Sequence, residues 1–326
     1  MSNIHNMFAV DPEGPCCRCA SNCEYTIRLS HINLDIMNMT NTHKLTYLIT
    51  GATGDVGSKA VAHLRARGER PRVFVRDAAQ ARLRFGHGVD VFQGDFADPA
   101  SLERALAGVD RLLLVTAGPR LAEWDAVAAH KAKAANVQLL VKLSSMDVEQ
   151  GVAIGAWHEL GERAVRAAGI SFTFVRPTGF MSNLLAWAHS VQAEGVVRAS
   201  TGDGGRAFIH SGDIAAVAVQ ALTTAGYAGQ ALSITGPEAL SFAAATARIG
   251  AALGKNLRFE AISDEDAGRR FADTGASPEE TSAHVELWRA IREGRLATVT
   301  DTVERVLGRQ PIPLDRWIAE NLEAFR

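Results

Sequence analysis

Between residues 44 and 177, short apolar segments alternate with longer segments whose apolar residues recur every three or four positions. Short apolar runs predict buried strands, and the wider spacing predicts helices with one buried face. The predicted strands cover residues 45–50, 72–75, 89–92, 111–116, 137–144 and 172–176. The predicted helices cover residues 55–67, 98–107, 120–135 and 152–168. Because strands that are apolar on both faces need helices on both sides, the pattern predicts an α/β fold with a doubly wound parallel sheet.

The regular alternation ends at Pro177. Beyond it, the pattern predicts shorter mixed elements, with strands at 231–235 and 257–261. Predicted helices cover residues 182–190, 213–223, 241–253 and 314–325, and another starts at residue 277. No low-complexity linker separates the two halves. We therefore expect a first domain over residues 44–180 and a smaller C-terminal α/β lobe over residues 181–326, packed on the same body.

Residues 1–43 follow neither pattern and contain all four cysteines, Cys16, Cys17, Cys19 and Cys23. Their spacing does not match the paired patterns of zinc sites, so we expect no metal there. We predict that this segment is a disordered or non-native N-terminal extension, with Met39 as a natural start. The rest of the chain lacks cysteine, which is consistent with a reducing, cytoplasmic location.

Composition excludes two classes of partner. The 326 residues are 47% hydrophobic and 21% charged, with a formal net charge of -2. No basic field exists to attract nucleic acid, so we expect no nucleic-acid partner. The uninterrupted apolar segments are short, as at 112–115, and fall well below the roughly 20 residues that span a bilayer. We expect no membrane segment.

A glycine-rich turn, TGATGDVG at 50–57, joins the first predicted strand to the first predicted helix. Its glycines permit a tight turn, approach of backbone amides to a pyrophosphate, and close packing of the helix on the strand. The helix N-terminus favours anions. The alternative is a turn that binds nothing, but its position in a βαβ unit favours a Rossmann-type dinucleotide site. The predicted contacts are Gly51, Thr53, Gly54, Asp55, Val56 and Gly57.

The end of the second predicted strand bears on the choice of dinucleotide. NAD-binding units place an acidic residue there to hold the ribose 2′-hydroxyl. Here the strand ends in Arg76, whose guanidinium suits a 2′-phosphate, and the Asp77 side chain should point elsewhere. We therefore predict that NADP(H) is favoured over NAD(H). The alternative for Arg76 is a solvated surface charge.

Several segments together resemble a known family. They include TYLITGATGDVG, VFVRD, FQGDFADPASLERAL, HELGERAVRAAGISFTFVRPTGFMSNL and GDGGRAFIHSGDIAAVAVQAL. The chain resembles the NmrA-like group of atypical short-chain dehydrogenases/reductases, in its NADPH quinone oxidoreductase and azoreductase-like branch. The resemblance extends from about residue 46 to the C-terminus.

The resemblance implies further cofactor contacts at the carboxyl ends of later strands, where open α/β sheets bind ligands. On the adenine side they are Asp95 and Phe96, for which a loop cap and a core position are the alternatives. The remaining implied contacts, near the two riboses and the nicotinamide, are Thr116, Ala117, Ser144, Ser145, Pro177 and Thr178.

The catalytic pair of typical short-chain dehydrogenases, Tyr-x-x-x-Lys, is missing. The quinone-reductase branch also lacks it, and this chain is similar to that branch in placing His158 at the corresponding helix. We predict His158 as the catalytic residue, a hydrogen-bond donor to a carbonyl oxygen, with a surface histidine as the alternative. Quinone reduction needs no strong protein acid, because the acceptor is already electrophilic.

An acceptor of this kind needs an apolar slot over the nicotinamide. Trp157, Phe180 and Trp187 are candidates for it, although interlobe packing would also explain Phe180 and Trp187. Asn183 either orients the substrate or caps a helix. His210 is expected at a helix N-terminus rather than at a second acid/base site.

Two functions remain open at this point. The first is an NADPH-dependent oxidoreductase that transfers hydride to a quinone or a similar small electrophile. The alternative is a non-catalytic NAD(P)-binding redox sensor of the NmrA type, which would act through a protein partner. A homodimer is compatible with either function. An epimerase or dehydratase is disfavoured by the missing Tyr-x-x-x-Lys motif.

Overall fold

The computed structural model describes residues 44–326. The predicted N-terminal extension, with its four cysteines, lies outside the described residues. The strands are β1 Tyr47–Thr50, β2 Arg72–Val75, β3 Asp90–Gln93, β4 Arg111–Leu114, β5 Leu139–Leu143, β6 Phe172–Pro177, β7 Val196–Ala199, β8 Gly205–Arg206, β9 Ala231–Ile234, β10 Leu240–Ser241 and β11 Arg258–Ala261.

Seven of these strands form one parallel sheet in the order β3-β2-β1-β4-β5-β6-β9. The order reverses at β1, because β2 lies on one side of it and β4 on the other. Strands β1 and β5 are buried along their whole length, as expected for a sheet covered on both faces. The predicted doubly wound, Rossmann-type sheet is confirmed.

Twelve α-helices accompany the strands in the described part of the chain. They are α1 Asp55–Ala66, α2 Ala78–Phe85, α3 Pro99–Leu106, α4 Leu121–Ala134, α5 Ala153–Ala167, α6 Ala188–Glu194, α7 Ser211–Thr223, α8 Phe242–Leu253, α9 Asp264–Ala272, α10 Pro278–Arg292, α11 Thr302–Leu307 and α12 Leu314–Asn321. Helices α1 and α7 bury their apolar residues on one face of the sheet, and α3, α4 and α5 on the other.

The seventh strand comes from the segment in which the sequence predicts a separate smaller lobe. Strand β9 pairs with β6, and α7, whose residues are almost all buried, packs against the same sheet. Pairing with β9 satisfies the backbone groups on the free side of β6. Residues beyond 180 therefore contribute both to the sheet and to the elements above it.

Those other elements form a second apolar core. Strand β7 pairs in parallel with β11, and β8 pairs antiparallel with β10. Apolar residues of α8, α10 and α12 pack with them in a cluster that includes Phe208, Phe242 and Trp317. No helix among residues 44–326 is long and apolar enough to cross a membrane.

The predicted helix starts at Asp98, Ser241 and Ser277 are confirmed, and Ser277 forms a capping box with Glu280. Helices α2, α9 and α11 were not predicted. Helix α9 is mostly polar and has few apolar residues to reveal its period. A side-chain cap by Ser263 and ion pairs of Asp264 with Arg289 and Arg292 of α10 hold it instead.

Candidate active site

The predicted phosphate turn lies between β1 and α1. Gly51 has a φ of +58°, which a residue with a side chain rarely adopts. A Cβ atom at Gly57 would lie 2.2 Å from the carbonyl oxygen of Gly51, so only glycine allows α1 to pack this closely on the turn. The N-cap residue, Gly54, makes no side-chain hydrogen bond to the helix. The first amides of α1 are therefore free of a side-chain cap and suited to a phosphate.

Asp55 begins this helix, but its carboxylate is already engaged. It accepts a hydrogen bond from Ser211 at 3.0 Å and pairs with Lys59. Burial would raise the pKa of this carboxyl, but hydrogen bonds from Lys59, Ser182 and Ser211 outweigh burial and hold the pKa below its usual value. A phosphate at this turn would therefore meet the backbone N–H of Asp55 rather than its side chain.

A cavity of about 480 Å³ extends from this turn over β2 and β3. Its wall includes eight predicted cofactor contacts: Gly51, Thr53, Gly54, Arg76, Asp95, Phe96, Thr116 and Ala117. The ring of Phe96 stacks on Trp124 with a centroid distance of 5.9 Å. The Asp95 carboxylate also accepts a hydrogen bond from the backbone N–H of Ala97, so it caps its loop while it lines the cavity. The size and aromatic wall suit a purine ring.

Arg76 is exposed at the rim of this cavity. The Asp77 side chain turns away, as predicted, and accepts a hydrogen bond from the backbone N–H of Gln80 at the start of α2. A second guanidinium, that of Arg84, donates to the carbonyl oxygen of Thr53 and to the hydroxyl of Ser58. Arg84 thus braces the turn, whereas Arg76 is the arginine that lines the cavity.

Another cavity, of about 460 Å³, opens above β4, β5 and β6. We call it the acceptor cavity, because the predicted substrate contacts Trp157, Phe180 and Asn183 line it. The phosphate turn contributes Gly51, Gly54, Asp55, Val56 and Gly57 to its wall. The strand ends contribute the predicted contacts Thr116, Ala117, Ser144, Ser145 and Thr178. Pro177 is not among the lining residues. It lies at the buried end of β6, in register with Ile234 of β9.

The hydroxyls at the bottom of the acceptor cavity are engaged with buried carboxylates. Ser144 donates to Glu162 at 2.7 Å, and Ser145 donates to Asp147 at 3.0 Å. Burial would raise the pKa of Glu162, but hydrogen bonds from Arg176 and Ser144 keep it below the usual value. Both serine protons are therefore committed, and neither serine resembles the free catalytic hydroxyl of an alcohol dehydrogenase.

Thr116 is held in the same way, by a fully buried ion pair. Its hydroxyl donates to Asp125 at 2.7 Å, and the other Asp125 oxygen lies 2.6 Å from Lys142 Nζ. The side chains of Asp125 and Lys142 are both completely inaccessible to solvent. The two charges compensate each other, and neither side chain lines the acceptor cavity.

His158 lines the acceptor cavity from α5, and its Nδ1 atom is buried without a hydrogen-bond partner. Burial and the nearby charge of Lys142 lower the pKa of His158 to about 3. The ring is therefore neutral at ordinary pH and carries a single N–H. It can donate a hydrogen bond, but it does not supply an acidic proton.

The predicted aromatic slot is divided between two cavities. Trp157, Phe180 and Asn183 line the acceptor cavity, whereas Trp187 lines a neighbouring one. Phe180 also packs against the apolar cluster of the main sheet. His210 caps α7 through Nδ1 and contacts Glu320 through Nε2 at 3.0 Å, as expected for a helix N-terminus.

Sequence reasoning missed Trp124, Arg206, Glu280 and His284 as lining residues. Arg206 is buried and forms an ion pair with Asp147 at 3.1 Å. His284 stacks on Phe271 with a centroid distance of 4.0 Å. The capping box at Ser277 marked the start of α10, but nothing in the sequence indicated which of its faces meets the cavity. No group of His, Cys, Asp or Glu within residues 44–326 is arranged to hold a metal ion.

A parallel sheet with an open phosphate turn at its switch point, and cavities along the carboxyl ends of its strands, defines a Rossmann-type dinucleotide-binding protein. The chain matches the NAD(P)H-binding family over residues 51–225. It belongs to this family, in the NmrA-like branch of atypical short-chain dehydrogenases/reductases, and is an NAD(P)H-dependent oxidoreductase.

Two reductases are similar to this chain over nearly their whole length. The "(4-alkanoyl-5-oxo-2,5-dihydrofuran-3-yl)methyl phosphate reductase" of Streptomyces griseus subsp. griseus is 42% identical over 85% of this chain and 98% of its own length. The NAD(P)H azoreductase of Xenophilus azovorans is 37% identical over 85% of this chain and 98% of its own length. An NADPH-dependent quinone oxidoreductase from Escherichia coli, solved with NADPH, superposes with a TM-score of 0.78 at 25% identity, over 84% of this chain and 99% of that one.

Proposed function

We propose that this oxidoreductase uses NADPH in preference to NADH and reduces quinones or similar small conjugated electrophiles. The observation that carries the proposal is the state of the polar groups that line the acceptor cavity. Ser144 and Ser145 donate their protons to carboxylates, and His158 is neutral. Such a site favours an acceptor that takes hydride without prior protonation.

The substrates named for three relatives share this chemistry. One is named for an oxo-dihydrofuran that bears an alkanoyl group, one for azo compounds and one for quinones. In the dihydrofuran and the quinone, a C=C bond is conjugated with a carbonyl group, and in the azo compound the π bond joins two nitrogen atoms. Hydride addition to such a bond places the negative charge on an oxygen or nitrogen atom, which stabilises it. This common feature supports a conjugated electrophile as the acceptor class.

The bound cofactor would supply the hydride. The residues of the chain would bind and orient the acceptor, with Trp157 and Phe180 as the apolar wall and the His158 N–H as donor to an acceptor oxygen. The negative charge that hydride addition would leave on the acceptor's oxygen or nitrogen would be neutralised by a proton from water. Asn183, which is exposed and lines the same cavity, is proposed to orient the acceptor.

The proposed cofactor contacts are Gly51, Thr53, Gly54, Asp55, Val56 and Gly57 at the turn and Arg76, Asp95 and Phe96 on the adenine side. Thr116, Ala117, Ser144, Ser145, Pro177 and Thr178 complete them. For Ser144, Ser145 and Thr116, their backbone atoms are the available groups, because their hydroxyls are engaged.

The test is NADPH oxidation with benzoquinone and naphthoquinone acceptors, with an unactivated ketone for comparison. We expect turnover of the quinones and none of the ketone. Phe180→Ala should raise the quinone KM, whereas Leu185→Ala, at an exposed position outside both cavities, should not. NADPH binding without oxidation by any quinone would contradict the proposed acceptor class.

A further inference from the structure

A second cavity, of about 390 Å³, lies beside the acceptor cavity. Its wall is mainly aromatic and comes from segments far apart in sequence: Trp187 from the 3₁₀ helix Met181–Trp187, Phe208, Phe242 from α8, Phe271 from α9 and Trp288 from α10. None of these residues lines the acceptor cavity. We call this second space the aromatic cavity.

The two cavities adjoin each other. Gly179, Asn183, Arg206, His284 and Leu287 line both of them. A substituent on a molecule that is bound in the acceptor cavity would therefore lie beside the aromatic cavity. The aromatic cavity shares no lining residue with the cavity of about 480 Å³ that Arg76, Asp95 and Phe96 line.

The rings of the aromatic cavity support one another. Trp187 and Phe208 pack on Phe242 with centroid distances of 5.1 and 5.7 Å, and Phe271 meets the edge of Trp288 at 5.9 Å. Ion pairs between Asp264 at the start of α9 and Arg289 and Arg292 of α10 join the two helices that carry Phe271 and Trp288. Contacts among the lining residues therefore hold the walls of the aromatic cavity in place.

Charge also limits what can occupy the aromatic cavity. Arg206 and His284 are its titratable lining residues, and both stand at the junction with the acceptor cavity. The Arg206 guanidinium is already paired with the buried carboxylate of Asp147, which balances its charge. A charged group deeper in the aromatic cavity would meet no counter-ion, whereas an alkyl or aryl group would gain from burial.

We propose that the aromatic cavity binds an apolar substituent of the acceptor, so that the substrates are conjugated electrophiles that carry an alkyl or aryl chain. This inference rests on the proposed function, because the acceptor cavity must hold the reacting part. Arg206 lies at the point where the polar head meets the apolar chain. The acceptor class is thereby narrowed from small electrophiles to elongated, amphipathic ones.

The experiment uses naphthoquinones that carry hydrogen, ethyl, butyl or hexyl, and one with a hexyl-length chain that ends in a carboxylate. Binding to the full-length protein is measured by calorimetry with NADP⁺ present, so that no turnover is needed. In the wild type, we expect the Kd to fall about two- to fourfold for each buried methylene, and at least about tenfold from the unsubstituted to the hexyl form. The carboxylate chain should give no such gain.

Two variants locate the effect. Ala186→Trp narrows the aromatic cavity, and Phe271→Ala removes part of its wall; each should reduce the difference in Kd between the hexyl and unsubstituted forms. Leu185→Trp is the matched control, because Leu185 lies on the same 3₁₀ helix and lines neither cavity. It should keep the wild-type dependence on chain length.

A Kd that does not change with chain length in the wild type would overturn the inference, and so would an equal gain from the carboxylate chain. Loss of the chain-length effect in Leu185→Trp would overturn it as well. Failure of the proposed function is a separate result, since it would be seen as absent NADPH oxidation while calorimetry still reported the chain-length dependence.

Discussion

The cofactor side and the acceptor side of this site are built in different ways. At the phosphate turn, backbone amides would form the contacts with the cofactor, and glycines lie at 51, 54 and 57 within one short segment. On the acceptor side, side chains from α5 to α10 converge, and residues as distant as Trp157 and His284 line one cavity. The first arrangement tolerates few changes because it depends on atomic clearance. In the second arrangement, single side chains can be replaced without disturbing the backbone, so these side chains can determine which acceptor binds.

The largest effect that this comparison predicts is at Gly57. Helix propensity alone would make Gly57→Ala stabilising by about 1 kcal/mol. The new Cβ, however, would lie 2.2 Å from the Gly51 carbonyl oxygen and would displace the turn. We expect affinity for NADPH and NADH to fall equally, by about ten- to a hundredfold. Titration of cofactor fluorescence measures the affinity, with Ala62→Ser, at an exposed position of the same helix, as the control. Unchanged affinity would show that the turn does not need this clearance.

A smaller and more selective effect is expected at Arg76, where the cofactor side does use a side chain. If its guanidinium holds a 2′-phosphate, Arg76→Ala removes a charge-assisted hydrogen bond and weakens NADPH by about tenfold, with little effect on NADH. Arg104→Ala, an exposed arginine that lines none of these cavities, is the control. Equal loss for the two cofactors, or no loss, would contradict the preference for NADPH.

The smallest effect concerns pH and the acceptor side. The folded-state pKa of His158, about 3, lies below its ordinary value of 6.5. The unfolded chain therefore binds this proton more readily, so the contribution to stability is present in full above about pH 6.5 and is lost as pH falls towards 3. We expect a total change of less than about 1 kcal/mol between pH 7 and pH 4, because partial exposure of the side chain reduces the effect. Unfolding of the wild type and His158→Gln, compared from pH 7 to pH 4, measures it.

The exposed His189 provides the control for this pH effect, as His189→Gln should leave the wild-type pH dependence of unfolding unchanged. If His158→Gln has the same pH dependence as the wild type, the histidine is not buried in the neutral state, and its assignment as a neutral hydrogen-bond donor fails.

The sheet and the phosphate turn were predictable because both depend on residues that are close in sequence. Strand β2 was predicted at the residues that form it, and the caps at Asp98 and Ser277 marked their helices. Helix α9 was missed because its polar sequence shows little periodicity and its stability comes from ion pairs with α10. The role of β9 in the main sheet was missed because strand pairing joins segments without a local signal.

In the candidate site, too, the features that depend on nearby residues were predictable and those that depend on distant residues were not. The contacts at strand ends were predictable, because the carboxyl edge of a parallel sheet is fixed by chain direction. The hydrogen bonds of their side chains could not be predicted. Ser144 lies next to Glu162 only because β5 pairs with β6 and α5 packs against them. The aromatic wall contributed by Phe271 and Trp288 was equally hidden, because α9 and α10 face the cavity only in the folded chain.

The sequence by itself determined the doubly wound sheet, the dinucleotide turn and the arginine beside it, since short-range periodicity and glycine spacing encode backbone geometry directly. Tertiary structure alone decided that His158 is neutral, that the hydroxyls of Ser144 and Ser145 donate to carboxylates, and that an aromatic cavity adjoins the acceptor cavity. The physical reason is that burial, charge proximity and cavity shape depend on which distant residues come together, and that is set by the packing of the whole chain.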